Sequence, residues 1–171
     1  TASLHIGYLS ADLGGHPVGH LLADILPHHS RDRFRVTAIV LVPPDGSDVQ
    51  SAIFEAVDDV LDVSRLSAGD ASERIRDAKL DILIDLGGFT RGARPEILAA
   101  RAAPLQLGWL GYCGSGGGLN DAILADSTVL PSQEVEHFAE AVAYLPGSFM
   151  PLNNHVIPAE TGDTREDHGL P

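Results

Sequence analysis

Two histidines open the chemistry of this chain. His16 and His20 form an H-x3-H pair in Gly14-Gly-His-Pro-Val-Gly-His20. An imidazole titrates near neutral pH and can take a proton from a hydroxyl in a transition state, which makes His16 a candidate general base. The alternative is that it caps the helix that follows, or is simply solvated. The pair can also chelate zinc, but a zinc site needs a third protein ligand. His28 and His29 lie a helix length away and no Cys or Glu is an obvious partner. No metal is therefore expected. Asp85 sits at the end of an otherwise apolar run, either as a satisfied polar group or as an orienting carboxylate. Arg91 and Arg94 can clamp an anion or pair with the many surface acids. Glycines cluster at 14–15, 87–88 and 111–118. They let backbone approach a ligand closely, although tight turns between strand and helix use glycine regardless. No GxxxxGK[ST] and no dinucleotide fingerprint is present.

These residues need a scaffold, and the hydrophobic pattern supplies one. Residues 4–10 (Leu-His-Ile-Gly-Tyr-Leu-Ser) read as a short buried strand. Pro17 suits the first position of a helix, where its missing N–H has no partner to lose. Val18, Leu21, Leu22, Ile25 and Leu26 then form one helical stripe, with His16 and His20 on the opposite side. Further strands are expected at 34–42, 60–63, 80–86, 105–110, 122–126 and 141–145. Helices are expected at 49–56 with Asp48 as cap, at 67–79 with Ala71 and Ile75 inward, and at 94–102. Strands alternate with helices at the spacing of a parallel sheet covered on both faces. Ligands of such sheets bind past the carboxyl ends of the strands, where His16 would sit. From Pro146 onward, prolines, asparagines and acids replace the apolar pattern, which reads as a linker or terminal extension.

Composition narrows the functional classes. At 171 residues with 44% hydrophobic residues, the chain is long enough for a real core. Its formal charge of −13 leaves little from which to build a basic face. Nucleic acid and anionic membrane surfaces are therefore not expected partners. No apolar run approaches a membrane span. Cys113 is the only cysteine, so no internal disulfide can form, which fits a reducing, cytoplasmic setting. The chain opens on Thr1, as expected of a piece processed or cut from a longer protein.

Five stretches together carry a resemblance. They are Ile6-Gly-Tyr-Leu-Ser-Ala-Asp-Leu13 with His16-Pro-Val-Gly-His20, Pro43-Pro-Asp-Gly-Ser47, Asp81-Ile-Leu-Ile-Asp-Leu-Gly-Gly-Phe-Thr-Arg-Gly-Ala-Arg-Pro-Glu-Ile97, Ala103-Pro-Leu-Gln-Leu-Gly-Trp-Leu-Gly-Tyr112, and Asp121-Ala-Ile-Leu-Ala-Asp126. In this order and spacing they resemble the catalytic region of O-linked N-acetylglucosamine transferases, the family that includes the plant SPINDLY-type enzymes. The resemblance implies the Rossmann-like amino-terminal lobe of a two-lobed GT-B region over residues 1–150. Residues 151–171 would then be a linker toward a second lobe, whose entry Thr164–Pro171 resembles.

It further implies an inverting transfer of N-acetylglucosamine from its UDP derivative to Ser or Thr of proteins. The UDP-sugar would be a substrate, with no cofactor. A related transferase with another sugar or an Asn acceptor, or a non-catalytic interaction module, are the alternatives. The implied partners are acceptor proteins, the second lobe, which would supply most of the sugar-nucleotide pocket, and tetratricopeptide repeats of the same chain. This piece alone would be inactive. By position, His16 falls on the family's His-Pro histidine, as base or acceptor-side residue. Pro17, His20, Gly87, Gly88, Phe89, Thr90, Arg94, Trp109, Gly111 and Tyr112 fall on stretches that line the cleft. Cys113 stands where the family usually has proline, which loosens that loop. Ala122 follows Asp121 where an aromatic is common.

Overall fold

The computed structural model describes residues 3–151 and 162–171. Its centre is a seven-stranded sheet, every neighbouring pair parallel. In chain order the strands are β1 (Leu4–Ser10), β2 (Phe34–Val40), β3 (Asp59–Asp62), β4 (Ile82–Asp85), β5 (Leu105–Gly108), β6 (Ala122–Ala125) and β7 (Ala141–Tyr144). Across the sheet they run β3-β2-β1-β4-β5-β6-β7. Four helices lie among the crossovers: α1 (Pro17–Ile25), α2 (Asp48–Glu55), α3 (Ala68–Asp77) and α4 (Pro95–Ala99). Strand order reverses between β1 and β4, so their two following loops part there and leave a crevice at the carboxyl edge.

Burial on both faces explains the near-continuous apolar runs. Ile6, Tyr8, Val36 and Ala38 of the sheet pack with Leu22 and Leu26 from the first helical segment and Ile53 of α2. On the other face, Leu9, Ile39 and Leu83 pack with Ala71 and Ile75 of α3 and Ile97 and Leu98 of α4. A smaller cluster of Ile123, Ala125 and Leu130 serves the β6 end.

The Rossmann-like parallel sheet matches the pattern read from sequence, with shifts at element ends. The cap of α2 is Ser47, which accepts from the Gln50 N–H, and Asp48 is the first helical residue instead. The shift comes from Asp45, whose carboxylate takes the Ser47 N–H at 2.9 Å and sets the turn one residue early. Helix α4 stops at Ala99 rather than 102, because Arg101 turns left-handed at φ 52°. Strand β5 stops at Gly108 because Leu110 does the same at φ 73°. Strand β4 is shorter than 80–86, although Asp81 and Leu86 still donate N–H bonds to His5 and Leu9 of β1. A 3-10 segment, Ser132–His137, was not expected. Past β7, Phe149 returns to the sheet and is buried. Residues 152–161, part of the expected linker, lie outside the described residues. No described helix is long and apolar enough to cross a membrane.

Candidate active site at the carboxyl edge

Three loops converge past the carboxyl ends of β1, β4 and β5. The first is fixed by short polar bonds. Ser10 Oγ accepts the Asp12 N–H at 2.9 Å, and Asp45, from the loop after β2, accepts the Gly15 N–H at 2.8 Å. His16 then ends the loop in an extended conformation and caps α1, its Nδ1 accepting the Val18 N–H at 3.2 Å. Pro17 is the first helical residue, as its fixed φ favours.

The second loop is organised by Asp85. Its carboxylate is buried and accepts the N–H groups of Gly87 at 3.1 Å and Gly88 at 3.0 Å, with a further bond from the Asn120 side chain. Burial pushes the carboxyl above its ordinary value, and these bonds only partly oppose it. Thr90 Oγ donates back to Gly87 O, closing the turn. Gly88 has φ 53°, a conformation that L side chains rarely adopt.

The third loop lies on top of the second. A Cβ on Gly111 would stand 2.1 Å from Leu86 O and 3.3 Å from Val18 Cγ2, so this residue packs against both the residue that follows β4 and the start of α1. Tyr112 and Phe89 meet edge to face, ring centres 5.8 Å apart at 89°. Together with Asp85, Gly88, Asn120 and Gly116 they line a narrow crevice with a cavity volume of about 10 Å³, room for about one water. The glycine loop is tied down by Glu140, which accepts from Ser115 Oγ at 2.7 Å and from the Gly118 N–H at 2.9 Å. Burial alone would raise the Glu140 carboxyl, and the bonds from Gly118 and Ser115 more than reverse that.

With this edge assembled, its kinship can be read. The family model described as "Glycosyl transferase family 41" matches residues 1–157. The chain belongs to glycosyl transferase family 41. A Caenorhabditis elegans UDP-N-acetylglucosamine–peptide N-acetylglucosaminyltransferase is 38% identical over 148 residues, 85% of this chain and 13% of its own length. An Arabidopsis thaliana protein named a probable enzyme of that type, SEC, is 33% identical over 98% of this chain and 18% of its own length. A solved point mutant of the Thermobaculum terrenum O-GlcNAc transferase superposes with TM-score 0.85 at 27% identity. That match covers 92% of this chain and 31% of the other. This chain thus spans 13% and 18% of the two curated relatives' lengths.

In this family-41 chain the structure sorts the candidate residues. Gly87, Gly88, Phe89, Gly111 and Tyr112 come together around Asp85, and Val18 joins His16's helix to them. Pro17 and His20 are exposed on α1. Thr90's hydroxyl is turned back into its own loop. Arg94 points elsewhere: its guanidinium donates to Val63 O at 3.1 Å and Leu66 O at 3.0 Å, with Glu96 at 3.8 Å. Of the two roles open to it, it takes neither mainly, bracing the loop after β3 against α4. Trp109 Nε1 donates to Phe149 O. Among the described residues, no three His, Cys, Asp or Glu side chains gather as a metal site.

Sequence reasoning missed Asp45, Asn120 and Glu140. The Pro-Pro-Asp-Gly-Ser turn marks Asp45 as a bend former, but nothing local ties it to Gly15, 30 residues away. The cap also selects the tautomer of a neutral His16 ring. A ring nitrogen that accepts a hydrogen bond carries no proton, so the neutral ring here holds its proton on Nε2. In this conformation the outward nitrogen is a donor.

Proposed function

We propose that this chain is the amino-terminal lobe of a protein O-glycosyltransferase that moves N-acetylglucosamine from UDP-N-acetylglucosamine to Ser or Thr of proteins. The names of the relatives support the donor and the protein acceptor. The observation that carries the site is the position of His16. Its side chain is 49% exposed, beyond the carboxyl end of β1 where strand order reverses, and Val18, two residues on, lies against Gly111.

The acceptor hydroxyl attacks the anomeric carbon, and the bond from that carbon to the diphosphate oxygen breaks with its electron pair going to UDP. The single displacement inverts the centre. His16 serves the acceptor side, taking the hydroxyl proton or orienting the oxygen. Tyr112 and Phe89 offer aromatic surface, and Gly88 and Gly111 let the loops after β4 and β5 pack closely enough to hold it. No metal or cofactor is assigned a role. Holding the diphosphate falls to a second lobe, because this one is acidic overall and Arg94 is engaged with carbonyls. Tetratricopeptide repeats of the same chain would present acceptor proteins, in the cytoplasm.

The test has two arms. The full-length protein, given UDP-N-acetylglucosamine and a protein acceptor, should glycosylate Ser or Thr. Calorimetric titration of this 171-residue chain with the same donor should show weak binding or none. Micromolar binding by this lobe alone would mean that the pocket has been assigned to the wrong lobe.

A further inference from the structure

His16 faces a chemical conflict. A base that takes a proton at the outward Nε2 must carry its own proton on Nδ1. The helix cap demands the reverse, because Nδ1 accepts from the Val18 N–H. Something must hold an Nδ1 proton for the base to exist, and a group is in place. Asp12 Oδ2 lies 3.9 Å from His16 Nδ1, a small side-chain movement short of a hydrogen bond. The backbone of Asp12 is held, since its N–H is bonded to Ser10 Oγ at the end of β1. Its side chain is only 22% exposed, so its charge is less screened than one in open water.

The geometry points to Asp12 as the positioning residue that converts His16 from helix cap to general base. This rests on the acceptor-side role of His16 proposed above. In the resting arrangement Nδ1 accepts from Val18 and Nε2 carries the proton. In the working arrangement the ring lets go of the Val18 N–H, and its proton passes from Nε2 to solvent while Nδ1 gains one. Nδ1–H then donates to the Asp12 carboxylate, and Nε2 presents its lone pair to the acceptor hydroxyl. As the oxygen attacks, its proton moves to Nε2 and the sugar–phosphate bond breaks. Asp12 offsets the imidazolium charge without itself being protonated, the arrangement known from hydrolytic triads. The cap is cheap to release, since a single side-chain capping bond is a small part of the helix's stability. Two other titratable groups flank this turn. Asp45 is bonded to the Gly15 N–H and Ser47 N–H, and His20 is exposed on the helix beyond.

The experiment compares pH–rate profiles of the full-length enzyme as wild type, His16→Ala, Asp12→Asn and Asp12→Glu. Asp12→Asn should lower kcat about 10-fold or more with acceptor KM little changed. It should also move the acid limb of the profile to lower pH, because the imidazolium loses its counter-charge. Asp12→Glu, which keeps the charge, should recover part of the rate and of the limb. If His16→Ala is inactive while Asp12→Asn keeps the wild-type rate and limb, the Asp12 assignment is overturned and the His16 reading stands. A fall in kcat with an unmoved limb also overturns it, since a merely structural Asp12 would do that. Full turnover by His16→Ala would overturn the reading of His16 itself.

Discussion

A Cβ atom on Gly88 would lie 2.5 Å from the ring of Tyr112. The turn after β4 and the loop after β5 are therefore in contact at a place where a side chain is missing. Gly88→Ala meets two penalties. The left-handed φ of 53° disfavours a Cβ by about 1–2 kcal/mol, and the overlap with the ring adds about 1–3 kcal/mol. A loss of about 2 kcal/mol or more is expected from the urea midpoint of this chain. Adding Tyr112→Gly, which removes both the ring and the Cβ that would lie 2.6 Å away, should relieve the overlap component only, so the double-mutant cycle should show a non-additive term. Strict additivity would mean that the two loops do not touch.

Arg94 distinguishes bracing from binding. Arg94→Ala removes charge-assisted bonds to Val63 O and Leu66 O from a side chain that is 17% exposed. It should destabilise the chain by about 2 kcal/mol. Arg94→Lys should recover little, because an ammonium lacks the planar fork that reaches both carbonyls. In the full-length enzyme, donor KM should stay near wild type wherever the variant is folded. A large rise in donor KM without a stability loss would return Arg94 to substrate binding.

Glu140 and Asp85 should leave opposite marks on the pH dependence of stability. The Glu140 carboxyl is held below its ordinary 4.5, so the folded state prefers the ionised form. Its contribution is fully present above about pH 4.5 and is lost as pH falls through the folded value. Glu140→Gln should therefore be about 1–2 kcal/mol less stable at pH 7, with the gap closing in acid. Asp85 is shifted upward by burial, so its contribution is greatest below its ordinary 3.8 and falls as pH rises through the folded value. Denaturant titrations across this range check both signs, and a Glu140→Gln gap that widens in acid would contradict the latch.

His16→Ala should cost this chain little, about 1 kcal/mol for the lost cap. In the full-length enzyme it should lower turnover about 10²-fold or more. His20→Ala is the control, one helical turn further on and exposed, and should change turnover far less. Equal losses for the two histidines, read by initial rates at saturating donor, would remove the special position of His16.

The strands and the first helix were legible because each is a local pattern. Ile6, Tyr8 and Leu9 are buried on alternate faces, and a run without polar interruption says so. Ends were less legible. Arg101 and Leu110 turn left-handed with no glycine to announce it, so α4 and β5 were read too long. The family resemblance directed attention to the His-Pro and Gly-Gly-Phe-Thr stretches. It gave no sign that Arg94 reaches back to Val63, 31 residues upstream, or that Glu140 holds Gly118 from 22 residues away. Such contacts are made by topology, since the parallel sheet brings every carboxyl end to one edge whatever the spacing in sequence. The capping bond of His16 is local, and the Gly-His-Pro order allowed it, but whether the ring accepts or is solvated is decided by a rotamer.

The peptide of Phe149 is gripped at both poles: its carbonyl takes the Trp109 indole N–H and its N–H goes to the Asp126 carboxylate at 2.7 Å. Trp109 is the chain's single tryptophan, two residues before Gly111. Nature has thus placed an intrinsic fluorophore at the joint between the chain leaving β7 and the Gly111 turn. Its emission reads that one hydrogen bond without any label. Undocking of residues 146–150 would wet the indole and shift its light to the red, while the rest of the sheet stayed dark to the measurement.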